Sequence, residues 1–352
     1  NGPTTSSGMA TLLAAGYARW WSPRRREPAL LAAAAVPPMV ALGLLALHLP
    51  SLYPTAQQIS AGGPRQADSL RYGPLELLEA TAAAAVIGRP AAVVLTWRAE
   101  AGIDADYTVN VQLLAQAPGG WRKLAEHNSF PGQGMNPTGG WRAGEVWRDR
   151  LALRVDERLN GPTLAAVQVR VFAGGPAPVV TGSPQPPAPS VSRRELPPAR
   201  AGQAVDPPLV AEMVVRPAAP LSPPSAAGPR AKFAAAFALV AWTIDAETPG
   251  LTLWWQATAA PPADYAIFVH LLDAAGNLVA QADGVPNDGL SPMTIWRAGD
   301  VVRDVHRFPP GTVVPDGGYF LVGAYRPDTG ERAPVTLDGA PLPDNAVELR
   351  IA

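Results

Sequence analysis

The side chains of this chain best suited to chemistry are few and sit between strands. Trp141 and Trp296 each open a run of the form Trp-Arg-Ala-Gly-acid, ending at Glu145 and Asp300. A tryptophan exposed on a loop can stack on a sugar ring, and a neighbouring guanidinium and carboxylate can bind its hydroxyls. Trp141, Trp296, Arg297 and Asp300 are therefore the candidate carbohydrate-binding residues. The same residues have a structural reading, in which each tryptophan plugs the end of its own core and Gly144 or Gly299 turns the chain into the next strand. Recurrence of the run in two places favours that structural reading.

Other constellations are weaker. The four histidines, His48, His127, His270 and His306, share no metal-ligand spacing. Asp283, Asp288, Asp300 and Asp304 surround one loop and could ligate calcium through oxygen, but they lack the alternation of a dedicated calcium loop. No G-x-S-x-G elbow, P-loop, H-E-x-x-H or strand-linked GxGxxG occurs. With no cysteine, thiolate chemistry and disulfides are excluded. The reading is of a chain with no catalytic residue, metal or cofactor of its own. Arg148-Asp149 and Arg303-Asp304 read as cross-strand or loop-anchoring ion pairs, exposed, contributing about 0–1 kcal/mol each and carrying no function.

The elements that position these residues repeat. Tyr107, Leu113-Leu114 and Trp97 recur 158 residues on as Tyr265, Leu271-Leu272 and Trp255. After the loop the spacing drops to 155, where Trp141 meets Trp296 and Arg148-Asp149 meets Arg303-Asp304. A near-constant offset of this size indicates duplication of a whole domain. Tyr265–Leu272 alternates with apolar groups on both faces, as a central strand does. Asp273–Asn277 supplies turn residues, and Leu278–Asp283 returns as its partner. Further strands are expected at Leu251–Thr258, Val301–Arg307, Tyr319–Arg326, Val347–Ile351 and Leu209–Arg216. Short strands with Gly, Pro and Asp turns predict a mainly β chain of two tandem antiparallel β-sandwiches, Ig-like or jelly-roll-like.

Length and composition agree. The 352 residues give room for two domains and an extra segment, and a net charge of −1 offers no footprint for nucleic acid. Only 16% of residues are charged, as expected if part of the chain lies in lipid. Ala29–Leu49 contains no charged residue, follows Arg24-Arg25-Arg26 and ends at Pro50. It is long enough to cross a hydrocarbon core of about 30 Å. The arginines place its N-terminal side in the cytoplasm and the residues after it outside, with the lipid bilayer as partner. The expected layout begins with the end of an earlier apolar segment and a cytoplasmic loop (1–28), consistent with a fragment or processed chain, since Asn1 is not a start methionine. A transmembrane helix (29–49) and a juxtamembrane linker (50–70) come next. The first sandwich (71–216) contains a loose Pro-rich insertion at 174–208. A Pro/Ala linker (217–230) and the second sandwich (231–352) complete it.

The run YAIFVHLLDAAGNLVAQADGVP, the later WRAGDVVRD and GGYFLVGAYRPDTGERAPV resemble the C-terminal extracytoplasmic modules of bacterial membrane glycosyltransferases similar to dolichyl-phosphate-mannose–protein mannosyltransferases. The resemblance is good over Leu251–Val335 and weaker over Val93–Phe172. It implies a non-catalytic, extracytoplasmic part of a transferase that uses a lipid-linked sugar, assisting recognition of a glycan or acceptor. The acidic catalytic residues of that family lie in an N-terminal outer loop that this chain does not contain, so none is carried over. A cell-surface adhesion or carbohydrate-binding protein, or a plain structural spacer, fits the same residues.

Overall fold

The computed structural model describes residues 56–59, 69–174, 194–224, 231–245 and 250–350. The chain divides into two compact units, Asn1–Thr55 and Ala56–Ala352. The expected membrane run Ala29–Leu49 lies outside the described residues. Among the described residues no helix is long and apolar enough to cross a membrane.

The described residues are mainly β, in four sheets. In the first half, one sheet runs Gln57–Ile59, Val146–Arg154, Pro90–Ala99, Leu75–Ala82, Leu70–Tyr72, Pro198–Arg200 and Gln203–Ala204. The other runs Ala85–Val86, Leu209–Arg216, Thr163–Ala173, Tyr107–Ala117 and Gly120–Ser129. In the second half, the order Val301–Arg307, Gly250–Ala257, Phe237–Asp245, Lys232–Phe233 repeats the centre of the first sheet. The order Leu278–Gln281, Ala266–Leu272, Tyr319–Tyr325, Ala346–Arg350 repeats the second.

The recurrence extends to irregularities. One extra residue, Leu78, bulges opposite Trp97-Thr96, and Val240 bulges opposite Trp255-Trp254. Leu124 and Val279 bulge in the two outer hairpin strands. A bulge re-aims side chains locally, so its retention in both halves keeps the tryptophans in register with their cores.

Each half has its own apolar cluster, drawn from both of its sheets. Trp97, Val111, Leu113, Leu151 and Val169 lie in the first, and Trp255, Ile267, Val269, Val302 and Val322 in the second. Trp255 meets the Phe233 ring edge-on at 5.1 Å between centroids, a geometry the aromatic quadrupole favours. Ala266–Leu272 is buried on nearly every residue because it is hydrogen-bonded on both edges and covered on both faces.

Two expectations need revision. Gln57–Ile59, placed in a polar linker by its composition, is a strand paired with Val146–Arg148. The end of the Pro-rich stretch is also not loose: Arg194–Leu196 pairs with Val171–Ala173, and Pro198–Arg200 with Leu70–Tyr72. Proline is tolerated there because Pro197 falls between the two strands and Pro198 is the first residue of its own.

Candidate functional site

The site is the pair of loops that precede Val146–Arg154 and Val301–Arg307. Each has three consecutive residues in the left-handed region: Gly132, Gln133 and Gly134 in one, Asn287, Asp288 and Gly289 in the other. Positive φ is unfavourable for residues with a Cβ, so Gln133, Asn287 and Asp288 need outside support. An aspartate on the following strand supplies it. Asp149 Oδ1 accepts the Gly132 N–H at 2.8 Å, and Asp304 Oδ1 accepts the Asn287 N–H at 2.8 Å.

A second pair of anchors repeats just downstream. The Gly139 N–H donates to Asp106 Oδ1 at 2.7 Å, and the Thr294 N–H to Asp264 Oδ1 at 2.8 Å. The Trp141 N–H donates to the Thr138 carbonyl, and the Trp296 N–H to that of Met293. Gly144 and Gly299, both with positive φ, then donate to the Ala99 and Ala257 carbonyls.

These contacts settle where the nominated side chains sit. Trp141 is 4% exposed and Trp296 1%, each within the core of its own half. Trp141 stacks on Trp147 at 5.4 Å, and Trp296 donates its indole N–H to the Ser291 carbonyl at 3.0 Å. Neither ring presents a face, so stacking on a sugar would require the ring to leave its core. Arg297 is exposed, while its backbone N–H donates to Asp300 Oδ2 at 2.7 Å. Asp300 also forms an ion pair with Arg216 of the first half.

The aspartates read as exposed ion-pair members are buried instead, Asp149 at 0% and Asp304 at 1% exposure. Their pleat position points them inward, while the preceding arginines face out or to the rim. Asp304 Oδ2 accepts the Trp255 indole N–H at 3.2 Å and lies 2.8 Å from His306 Nε2. His306 Nδ1 lies 2.7 Å from the Ala282 carbonyl oxygen. Both ring nitrogens are thus engaged by acceptors. Burial pulls the His306 ring towards its neutral form, but the Asp304 carboxylate and these hydrogen bonds outweigh it, and its pKa is raised.

A cleft of about 160 Å³ opens beside this pair, lined by Asp283, Asp288, Asp304, His306 and Arg307 among others. Asp283 Oδ1 accepts the Val269 N–H at 3.2 Å. The four aspartates considered for calcium do not converge, because Asp304 and Asp300 are held by other partners. Among the described residues no group of three or more His, Asp or Glu side chains is placed to hold a metal ion.

The two halves meet at the second loop. Leu290 is buried within the first half's core cluster, and its carbonyl accepts the Leu164 N–H at 2.9 Å. Asn160 Nδ2 donates to Asn287 Oδ1 at 3.1 Å, and the Arg303 N–H donates to the Asn160 carbonyl at 2.7 Å. A Cβ on Gly161 would lie 2.8 Å from Val302 Cγ2, so this close approach needs glycine. Arg216 Nη2 donates to the Ile295 carbonyl at 2.7 Å. Reasoning from sequence missed this junction. The signal was present: the 155-residue offset, carried back across the loop, aligns Pro131-Gly-Gln-Gly-Met135 with Pro286-Asn-Asp-Gly-Leu290.

Compared with known proteins, the chain matches no family model, and no curated protein matches it.

Proposed function

We propose that residues 56–350 are two tandem antiparallel β-sandwich domains of one duplicated type, and that they form a non-catalytic arm held outside a bacterial membrane by Ala29–Leu49. In this reading the arm belongs to a membrane glycosyltransferase that uses a lipid-linked sugar, and it sets the position of a glycan or acceptor near the outer face. One observation supports it above others: polar side chains tie both loops to backbone, and those of the second loop also reach the neighbouring half. Asp149, Asp304, Asp300 and His306 all serve as anchors, which suits a stiff positioning element.

The test uses the absence of cysteine. Val313 is 75% exposed, so Val313→Cys creates a single accessible thiol in the full chain. A membrane-impermeant maleimide should label it in intact cells. Labelling only after lysis would overturn the extracytoplasmic placement, and sugar transfer by the chain alone from a lipid-linked donor would overturn the non-catalytic role.

Carbohydrate binding has one specific observation in its favour. Trp121, on the outer strand Gly120–Ser129, is 50% exposed and presents the kind of ring that the loop tryptophans do not. A glycan array with wild type and Trp121→Ala decides it, since loss of binding with an unchanged melt would make this strand the contact surface.

A further inference from the structure

The His306–Asp304 pair lies at the root of the junction between the halves. Its imidazole reaches two acceptors, the Ala282 carbonyl at 2.7 Å and Asp304 Oδ2 at 2.8 Å. A neutral imidazole has one N–H and can satisfy only one of them. The other oxygen of Asp304 holds the left-handed Asn287. Asn287 in turn accepts the Asn160 amide from the first half, and Leu290, three residues on, fills the first half's core. A single carboxylate thus joins the ring to the loop that grips the other half.

We propose that the second proton on His306 is the latch of this junction: with it the Pro286–Leu290 loop is held against the first half, and without it the grip loosens. Deprotonation removes one of the ring's two bonds. The ring then turns from the Ala282 carbonyl or faces Asp304 with a lone pair, and Asp304 is freer to leave the Asn287 N–H. The cleft gives protons a route to the ring from solvent.

The charged groups facing the ring are few. Asp304 and Arg307 come from its own strand, Asp283 from the segment after Leu278–Gln281, and Asp288 from the loop itself. His270 stands behind, 3.7 Å from Asp283. The paired strand Gly250–Ala257 brings no charged side chain, only the Trp255 donor. The surroundings therefore favour the cation, and the latch opens at a higher pH than a free imidazole would lose its proton. The first half provides a contrast, because Leu151 holds the position of His306: both residues pair with the same place on the repeated strand, Val93 and Leu251.

The experiment is hydrogen exchange on the full chain at pH values either side of the His306 midpoint, which NMR titration locates, corrected for the intrinsic pH dependence of exchange. Protection of the Asn287, Leu164 and Arg303 amides should fall about tenfold across the His306 titration. Protection of Gly132, which lacks a histidine behind its aspartate, should stay within about twofold. His306→Leu, which copies the first half, should give low and pH-independent protection at the three junction amides. Nitrogen NMR of the four histidines should show both His306 ring nitrogens protonated below that midpoint, and the midpoint itself above that of a free imidazole. Flat protection in the wild type, an equal fall in His306→Leu, or a His306 midpoint at or below that of a free imidazole would overturn the proposal. Should His306→Leu fail to fold, the wild-type profile and the NMR titration decide it.

Discussion

Two loops built to one plan have different fates in this chain. Both put three left-handed residues ahead of a strand, tie the first to a buried aspartate, and close with a buried tryptophan. In the first half the loop ends in Met135, which is 76% exposed; in the second, the matching residue is Leu290, 6% exposed and buried in the other half. Asp304 has three nitrogen partners where Asp149 has a single backbone N–H and leaves Oδ2 without a donor among the described residues. The same loop geometry serves only its own half in one case and forms an interface in the other. The recurring residues (tryptophan, glycine, aspartate) therefore belong to the scaffold, and the non-recurring ones (His306, Asn287, Leu290) belong to the junction.

The largest break in this comparison should come from the aspartates. Asp304→Ala leaves the Asn287 and Trp255 N–H groups and His306 without their acceptor, and should cost about 3–5 kcal/mol in chemical denaturation. Asp149→Asn removes far less and should cost under about 1 kcal/mol at pH 7. Equal losses would mean that the extra partners of Asp304 contribute nothing. The two tryptophans test the shared part of the plan. Trp141→Ala and Trp296→Ala should each cost about 3–5 kcal/mol, and a mutant with an unchanged melt would show that its ring is not a core plug.

Next in size is the knob itself. Leu290→Ala should cost about 2–4 kcal/mol because it empties a site in the first core, whereas Met135→Ala should change stability by less than about 0.5 kcal/mol. A pH dependence of comparable size separates the two aspartates. Burial pushes the Asp149 carboxyl up to about 6, against the lowering effect of the Gly132 N–H. The folded state therefore holds this proton more tightly than the unfolded chain. Its contribution is fully present below about pH 4 and is lost as pH rises through about 6, on the order of 2–3 kcal/mol in all. Stability measured from pH 4 to 7 should show this fall in wild type and lose it in Asp149→Asn.

Much of the strand layout was legible. Val301–Arg307 and Leu209–Arg216 form over the residues expected, Tyr319–Tyr325 ends one residue early, and Ala346–Arg350 begins one residue early, with Ile351 outside the described residues. Period-two alternation reports burial on a face directly, so it survives translation into structure. Gln57–Ile59 was not legible, because a three-residue edge strand is defined by its partner and carries too few positions for a pattern. The burial of Asp149 and Asp304 was misread for a related reason, although a loop-anchoring role was among the readings. A charged residue beside an arginine suggests an exposed pair, and only the fold of the preceding loop reveals the N–H group that each aspartate must satisfy.

Residue order was enough to establish that the chain is mainly β, that its strands recur in one order, and that tryptophan, glycine and aspartate recur with them. These are properties of local pattern and spacing, which neighbouring residues specify without outside help. Three outcomes emerged only once the chain was folded: which carboxylates are buried, that His306 faces two acceptors, and that Leu290 leaves its own half to fill the other. They depend on which surfaces meet across more than a hundred residues of chain, and no local pattern encodes which of two equivalent loops will find a partner.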